Sequence, residues 1–169
     1  FSSRSRHTLL LRVSWARSCV FETDAVRIPE EYKISYVNLY DGVSTNVASY
    51  NIESETIILR AAVRTGYVFE GWYDNAGLTG DKVDRIEHGS IGNRTFYADW
   101  SPAKDTRYRV EHYLQQLDGS YVLDRTDELT GVTEDFVTPQ THDYAGFSAQ
   151  ELRTLEITAD GKAVLRYSY

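Results

Sequence analysis

With one cysteine in 169 residues, Cys19, the chain can close no internal disulfide. A single thiolate also falls short of the four ligands that a structural zinc site takes. Cysteine poverty suits reducing and oxidising compartments alike. Long hydrophobic runs are missing too. The longest, Leu9-Leu10-Leu11, is broken at once by Arg12, too short for a membrane span and too interrupted for a secretory hydrophobic core. No membrane insertion is expected within this fragment. Positive charge is in deficit: the net charge is −7, and the first twenty residues hold Arg4, Arg6, Arg12 and Arg17 with no acid. The remainder therefore carries about −11. Such a body repels phosphate backbones, and no basic patch with interleaved aromatics offsets it, so no nucleic-acid partner is expected.

The spacings that mark catalysis are absent as well. The four histidines are His7, His88, His112 and His142, and none falls in a His-x-x-x-His or His-Glu-x-x-His pattern. Glu87-His88 and Glu111-His112 are neighbours, but successive side chains on a strand point to opposite faces and cannot cooperate. His112 reads as a sheet-face residue rather than a base. Cys19 has no histidine near it in sequence to activate it. Gly77–Gly80 and Gly89–Gly92 lack the Lys-Ser/Thr and the following helix of a phosphate loop, so they read as turns. Asp81, Asp84 and Glu87 recur at intervals of three and could ring a calcium ion, yet they miss the EF-hand spacing and read as a solvated acidic loop. The sequence thus predicts no enzyme, no cofactor, and no catalytic, cofactor-binding or metal-ligating residue.

What is present is tyrosine, 13 of them beside 6 Phe and 3 Trp, with proline limited to 3 and methionine absent. Tyrosine suits strands that are half buried and half wet, so the composition leans towards many strands. From Tyr32 the order is regular. Tyr32, Ile34, Tyr36 and Asn38 alternate with Lys33, Ser35, Val37 and Leu39 before an Asp41-Gly42 turn. Thr56–Leu59 is β-branched and apolar, and Gly66 in Arg64-Thr65-Gly66 is the expected bearer of a positive φ. Tyr67–Tyr73 and Thr95–Trp100 follow as aromatic-rich strands. Trp72 and Trp100 sit at strand centres and read as core, not as stacking platforms for a ligand. Ser101–Thr106 is polar, contains Pro102 and has no periodicity, as a linker should. A second unit then repeats the order: Tyr108, Val110, His112 and Leu114 alternate, Asp118-Gly119 turns, and Ala163–Tyr169 closes. Residues 1–31 are basic and irregular, a tail in preference to a damaged signal peptide or targeting segment. The divisions are therefore residues 1–31, a module at 32–101, a linker at 102–106 and a module at 107–169.

Glu55–Leu59, Arg64–Tyr73 with its Gly-Tyr-x-Phe-x-Gly-Trp-Tyr core, and Thr95–Trp100 with Tyr-Ala-x-Trp together resemble the Listeria–Bacteroides repeat, or internalin B-repeat. The chain departs from that pattern at Arg60 and Ala62, where such repeats often place prolines. The second unit, opening on Tyr108-Arg109-Val110-Glu111-His112-Tyr113 with its Asp118-Gly119 turn, is similar to mucin-binding-protein-type (MucBP-like) modules. The resemblance implies an α+β, mostly β fold: two tandem, small, ubiquitin-like β-grasp modules. It also implies a non-catalytic repeat region of a bacterial cell-surface protein, acting as a stalk or spacer. The alternative is an adhesive module that binds a host glycan or extracellular protein. The expected setting is extracellular, at the cell surface or cell wall, as a monomer within a larger repeat array, with the export signal and anchor outside this fragment.

Overall fold

The computed structural model describes residues 27–148 and 151–169. Most of the 1–31 segment, with His7 and Cys19, lies outside the described residues. Eleven strands run through them: β1 Glu31–Val37, β2 Ser49–Asn51, β3 Ile57–Ile58, β4 Tyr67–Tyr73, β5 Arg85–Ile86, β6 Arg94–Pro102, β7 Thr106–Gln115, β8 Tyr121–Gly131, β9 Phe136–Val137, β10 Leu155–Glu156 and β11 Ala163–Ser168.

The first half builds a four-stranded sheet in the order β2-β1-β6-β4. β1 lies parallel to β6, with Ile34 beside Arg94 and Tyr36 beside Phe96, while β4 is antiparallel to β6. The alternation read from Tyr32 is the physical cause of β1: Ile34 is buried and its neighbours face outwards. A small β3–β5 ladder covers the core, which gathers Ile34, Tyr50, Leu59, Ala62, Trp72, Ile86, Phe96 and Ala98. Trp72 is 2% exposed and its indole N–H donates to Arg60 O at 2.9 Å. Trp100 is half-buried, edge-on to Phe69 at 5.3 Å, and donates to Asn38 O at 2.8 Å. Both polar tips are therefore satisfied, as burial of an indole requires. At Arg60, where the repeat pattern often has proline, the Asn46 side chain instead bonds both the backbone N–H (2.7 Å) and the carbonyl (2.8 Å).

The second half repeats the plan with fewer strands, in the order β11-β7-β8. β11 is parallel to β7 and β8 is antiparallel to it, with a bulge between His112 and Tyr113. Tyr108, Val110, Ile157, Ala163, Leu165, Tyr167 and Tyr169 form a separate core. β9 and β10 pair with each other across the connection that returns the chain to β11.

The expected α+β, β-grasp class is overturned: the described residues hold no helix and the fold is all β. Both parallel pairs need a long crossover, and these are built of strands and loops without a helix, β2 to β5 in the first and β8 to β10 in the second. Their composition explains it. Between β1 and β3, Asn46 clamps Arg60, while Asn51 and Ser54 bond neighbouring backbone, and such local side-chain bonds compete with helix formation. In the second crossover Pro139 removes a backbone donor, and its carbonyl is taken by Tyr167 Oη at 2.8 Å.

Residues 102–106 run from the last residue of β6 to the first of β7. Ala103 N–H donates to Gly66 O, and Thr133 N–H donates to Ala103 O, both at 2.9 Å. The Tyr67 hydroxyl hydrogen-bonds the Glu134 carboxylate. Gly66 has φ +75°, and a Cβ there would stand 2.7 Å from Ala159 Cα. The turn after β10 therefore presses on the turn before β4, at a distance only glycine permits.

Candidate metal centre

Three side chains far apart in sequence meet in the second half. β7 presents Thr106, Tyr108, Val110 and His112 to its buried face. Asp127 opposes Val110 across the hairpin and so stands diagonal to His112 on the same face. His142 arrives from the loop after β9. One ligand atom from each of the three lies within 4.8 Å of the others.

His112 is fully buried and lies between tyrosine rings, with centroids 5.9 Å from Tyr167 and 5.8 Å from Tyr169. Its Nδ1 shares a 2.8 Å hydrogen bond with Tyr169 Oη, which also accepts the backbone N–H of His142 at 2.9 Å. Its Nε2 stands 3.3 Å from Asp127 Oδ2 but is not aligned for a hydrogen bond, and it has no other partner. A buried, unpartnered ring nitrogen is uncommon in native proteins and calls for an explanation. Burial pushes the His112 pKa down, and the neighbouring His142 adds to this, against the pull of Asp127.

His142 Nε2 is 2.6 Å from the same Asp127 Oδ2, and the two imidazole rings meet edge-on at 4.5 Å. The other carboxylate oxygen, Oδ1, accepts Arg125 Nε–H at 2.6 Å. Burial would raise Asp127, but the bonds from His142 and Arg125 prevail and hold its pKa at about 2. Asp127 is therefore an anion with one oxygen fixed by Arg125 and the other aimed between two imidazoles. The side chains of His142 and Asp127 are 35% and 20% exposed, so the cluster opens to solvent on one side while His112 closes it on the other.

The remaining sequence candidates do not come together. Asp84 pairs with Arg85 at 2.9 Å, and Glu87 approaches the same Arg85 at 3.8 Å. His88 Nδ1 bonds Ser54 O at 2.8 Å. Glu111 turns away from His112, taking Arg166 Nε–H and the Tyr113 hydroxyl, both at 2.9 Å. Sequence reasoning named His112 without its partners, because Asp127 lies on a charged strand with no hydrophobic alternation and His142 in a loop.

Among known proteins, no curated sequence and no solved structure matches the chain. The MucBP-like reading of residues 107–169 finds no support in these comparisons. One family model does match: residues 32–99, from within β1 to within β6, are similar to the Listeria-Bacteroides repeat domain.

Proposed function

We propose that the chain is a non-catalytic spacer, a pair of β units that carries other parts of a bacterial cell-surface protein away from the wall. The family of residues 32–99 supports a repeat-type, non-enzymatic module at the cell surface. No helix among the described residues is long and apolar enough to cross a membrane. The observation that carries the spacer reading is the junction. A stalk transmits reach only if adjacent units keep a fixed relation, and here two backbone hydrogen bonds through Ala103, the Tyr67–Glu134 contact and the Gly66–Ala159 contact tie them. Arg64 reinforces the first side, stacked 3.6 Å from the Tyr67 ring centroid and 4.6 Å from that of Tyr40, and paired with Asp41 at 2.8 Å. Small-angle scattering on the full chain tests this. An extended pair gives a radius of gyration above about 20 Å, against about 15 Å for a compact sphere of this length. A five-residue Gly-Ser insertion after Ala103 should broaden the distribution. A parent value near the compact figure, or indifference to the insertion, removes the spacer reading.

One feature favours adhesion instead. β8 is an edge strand, and Tyr121, Val122 and Leu123 are exposed along it at 49%, 53% and 46%. An open edge with apolar side chains can accept an added strand from another protein. Specific capture in a glycan and extracellular-matrix screen, abolished by Val122→Lys, would move the assignment to adhesion.

A further inference from the structure

We propose that His112, Asp127 and His142 bind one divalent transition-metal ion of the zinc type. Two imidazoles and one carboxylate are a donor set suited to such ions, and three protein ligands with one open position make a tetrahedral site that admits water. Ligands held about 2.0–2.2 Å from zinc stand roughly 3.2–3.5 Å from one another. His112 Nε2 and Asp127 Oδ2 already stand 3.3 Å apart. His142 Nε2, at 2.6 Å from the same oxygen, must withdraw by under an ångström to admit the ion. Its Nε2 proton moves to Nδ1, leaving a neutral imidazole with its lone pair free.

The unpartnered Nε2 of His112 is the observation that points to a ligand. If Tyr169 Oη accepts from Nδ1–H, the Nε2 lone pair faces the carboxylate with nothing to receive it. A cation between them resolves this, and the Nδ1–H···Oη bond becomes the outer contact that metal-bound histidines make. Arg125 plays the corresponding part for Asp127, holding Oδ1 and leaving Oδ2 for the ion. The exposed side of His142 supplies the entry path. The ion would staple the loop that carries His142, which has no regular structure from 138 to 148, onto the β7–β8 hairpin. The second core is small, and units of this size commonly need such a staple.

The test is calorimetric titration of zinc chloride into the full chain, with thermal denaturation alongside. One saturable site and a higher Tm with zinc are expected. His142→Ala and Asp127→Asn should each weaken zinc binding at least tenfold while leaving far-ultraviolet dichroism near the parent's, since His142 stands outside the packed core. The double variant His7→Ala, Cys19→Ser should bind as the parent does, and so should His88→Ala. Absence of saturable binding overturns the proposal. So does parental affinity in both His142→Ala and Asp127→Asn, or loss of the site in the His7/Cys19 variant.

Discussion

Replacing Gly66 by alanine should expose how strongly the two halves of the chain are joined. Gly66 and Gly89 have almost the same φ, +75° and +79°. Alanine at either position pays the same penalty for left-handed backbone, about 1–2 kcal/mol. They differ in surroundings: a Cβ at Gly89 meets nothing within 4 Å, whereas one at Gly66 stands 2.7 Å from the Cα, Cβ and carbonyl oxygen of Ala159. Two of those atoms are backbone, so relief requires the Ala159 turn to withdraw. Withdrawal strains or breaks the Thr133 N–H···O Ala103 bond and the Tyr67–Glu134 contact, since Glu134 N–H is tied to Ile157 O beside that turn. At a net value of about 0.5–1.5 kcal/mol each, the additional loss is about 1–3 kcal/mol. Gly66→Ala should therefore destabilise by about 2–5 kcal/mol and Gly89→Ala by about 1–2 kcal/mol. Urea denaturation followed by circular dichroism measures both, and comparison cancels the backbone term. Ala159→Gly removes one of the three close atoms and should recover only part of the Gly66→Ala loss. If the two glycine variants agree within about 0.5 kcal/mol, the contact with Ala159 contributes nothing and the junction is not a rigid one.

The first core should depend heavily on Trp72: truncation to alanine empties a site that is 2% exposed and removes one of the two donors to the Arg60 carbonyl, so a loss of about 3–5 kcal/mol is expected in the urea midpoint analysis. Two turn aspartates should confer a shallow acid sensitivity. Asp118 is held below its ordinary pKa by Ser120, and Asp160 by the Thr158 hydroxyl and the Lys162 N–H. Because the folded-state pKa values are the lower ones, their stabilisation is complete above about pH 4 and disappears as pH falls through the lowered values. The urea midpoints of the parent and of the Asp118→Ala, Asp160→Ala double variant should therefore differ at neutral pH and converge in acid.

Local pattern carried much of the fold. The Tyr32–Leu39 alternation, the aromatic runs at Tyr67–Tyr73 and Thr95–Trp100, and the alternation from Tyr108 all fall on β1, β4, β6 and β7. The positive φ at Gly66 was legible because a turn between two apolar runs demands it. What local pattern could not carry was long-range pairing and the content of the crossovers. A helix was implied by family likeness alone, and the local bonds of Asn46, Asn51 and Ser54 and the missing N–H of Pro139 work against one. β8 gave a weaker signal for another reason. As an edge strand it is exposed along nearly its whole length, so it shows no alternation, and Asp124, Arg125, Asp127 and Glu128 interrupt the apolar start at Tyr121–Leu123.

That same strand explains why the His112–Asp127–His142 cluster left no trace in spacing. Motif rules recognise ligands that one helix turn or one short loop brings together, and here each ligand is fifteen residues from the next. Their meeting depends on register. With Val110 opposite Asp127, the carboxylate shares the buried face of β7, and the bulge at His112/Tyr113 lies at the histidine itself. A slip of one residue would carry Asp127 to the opposite face and leave His112 facing His142 and tyrosines with no carboxylate. Tyr169, the last residue of the chain, then links the two histidines, touching the ring of one and the backbone of the other. The site is therefore a property of the assembled second sheet: a change that shifts the β7–β8 register should abolish the cluster even when all three side chains are retained.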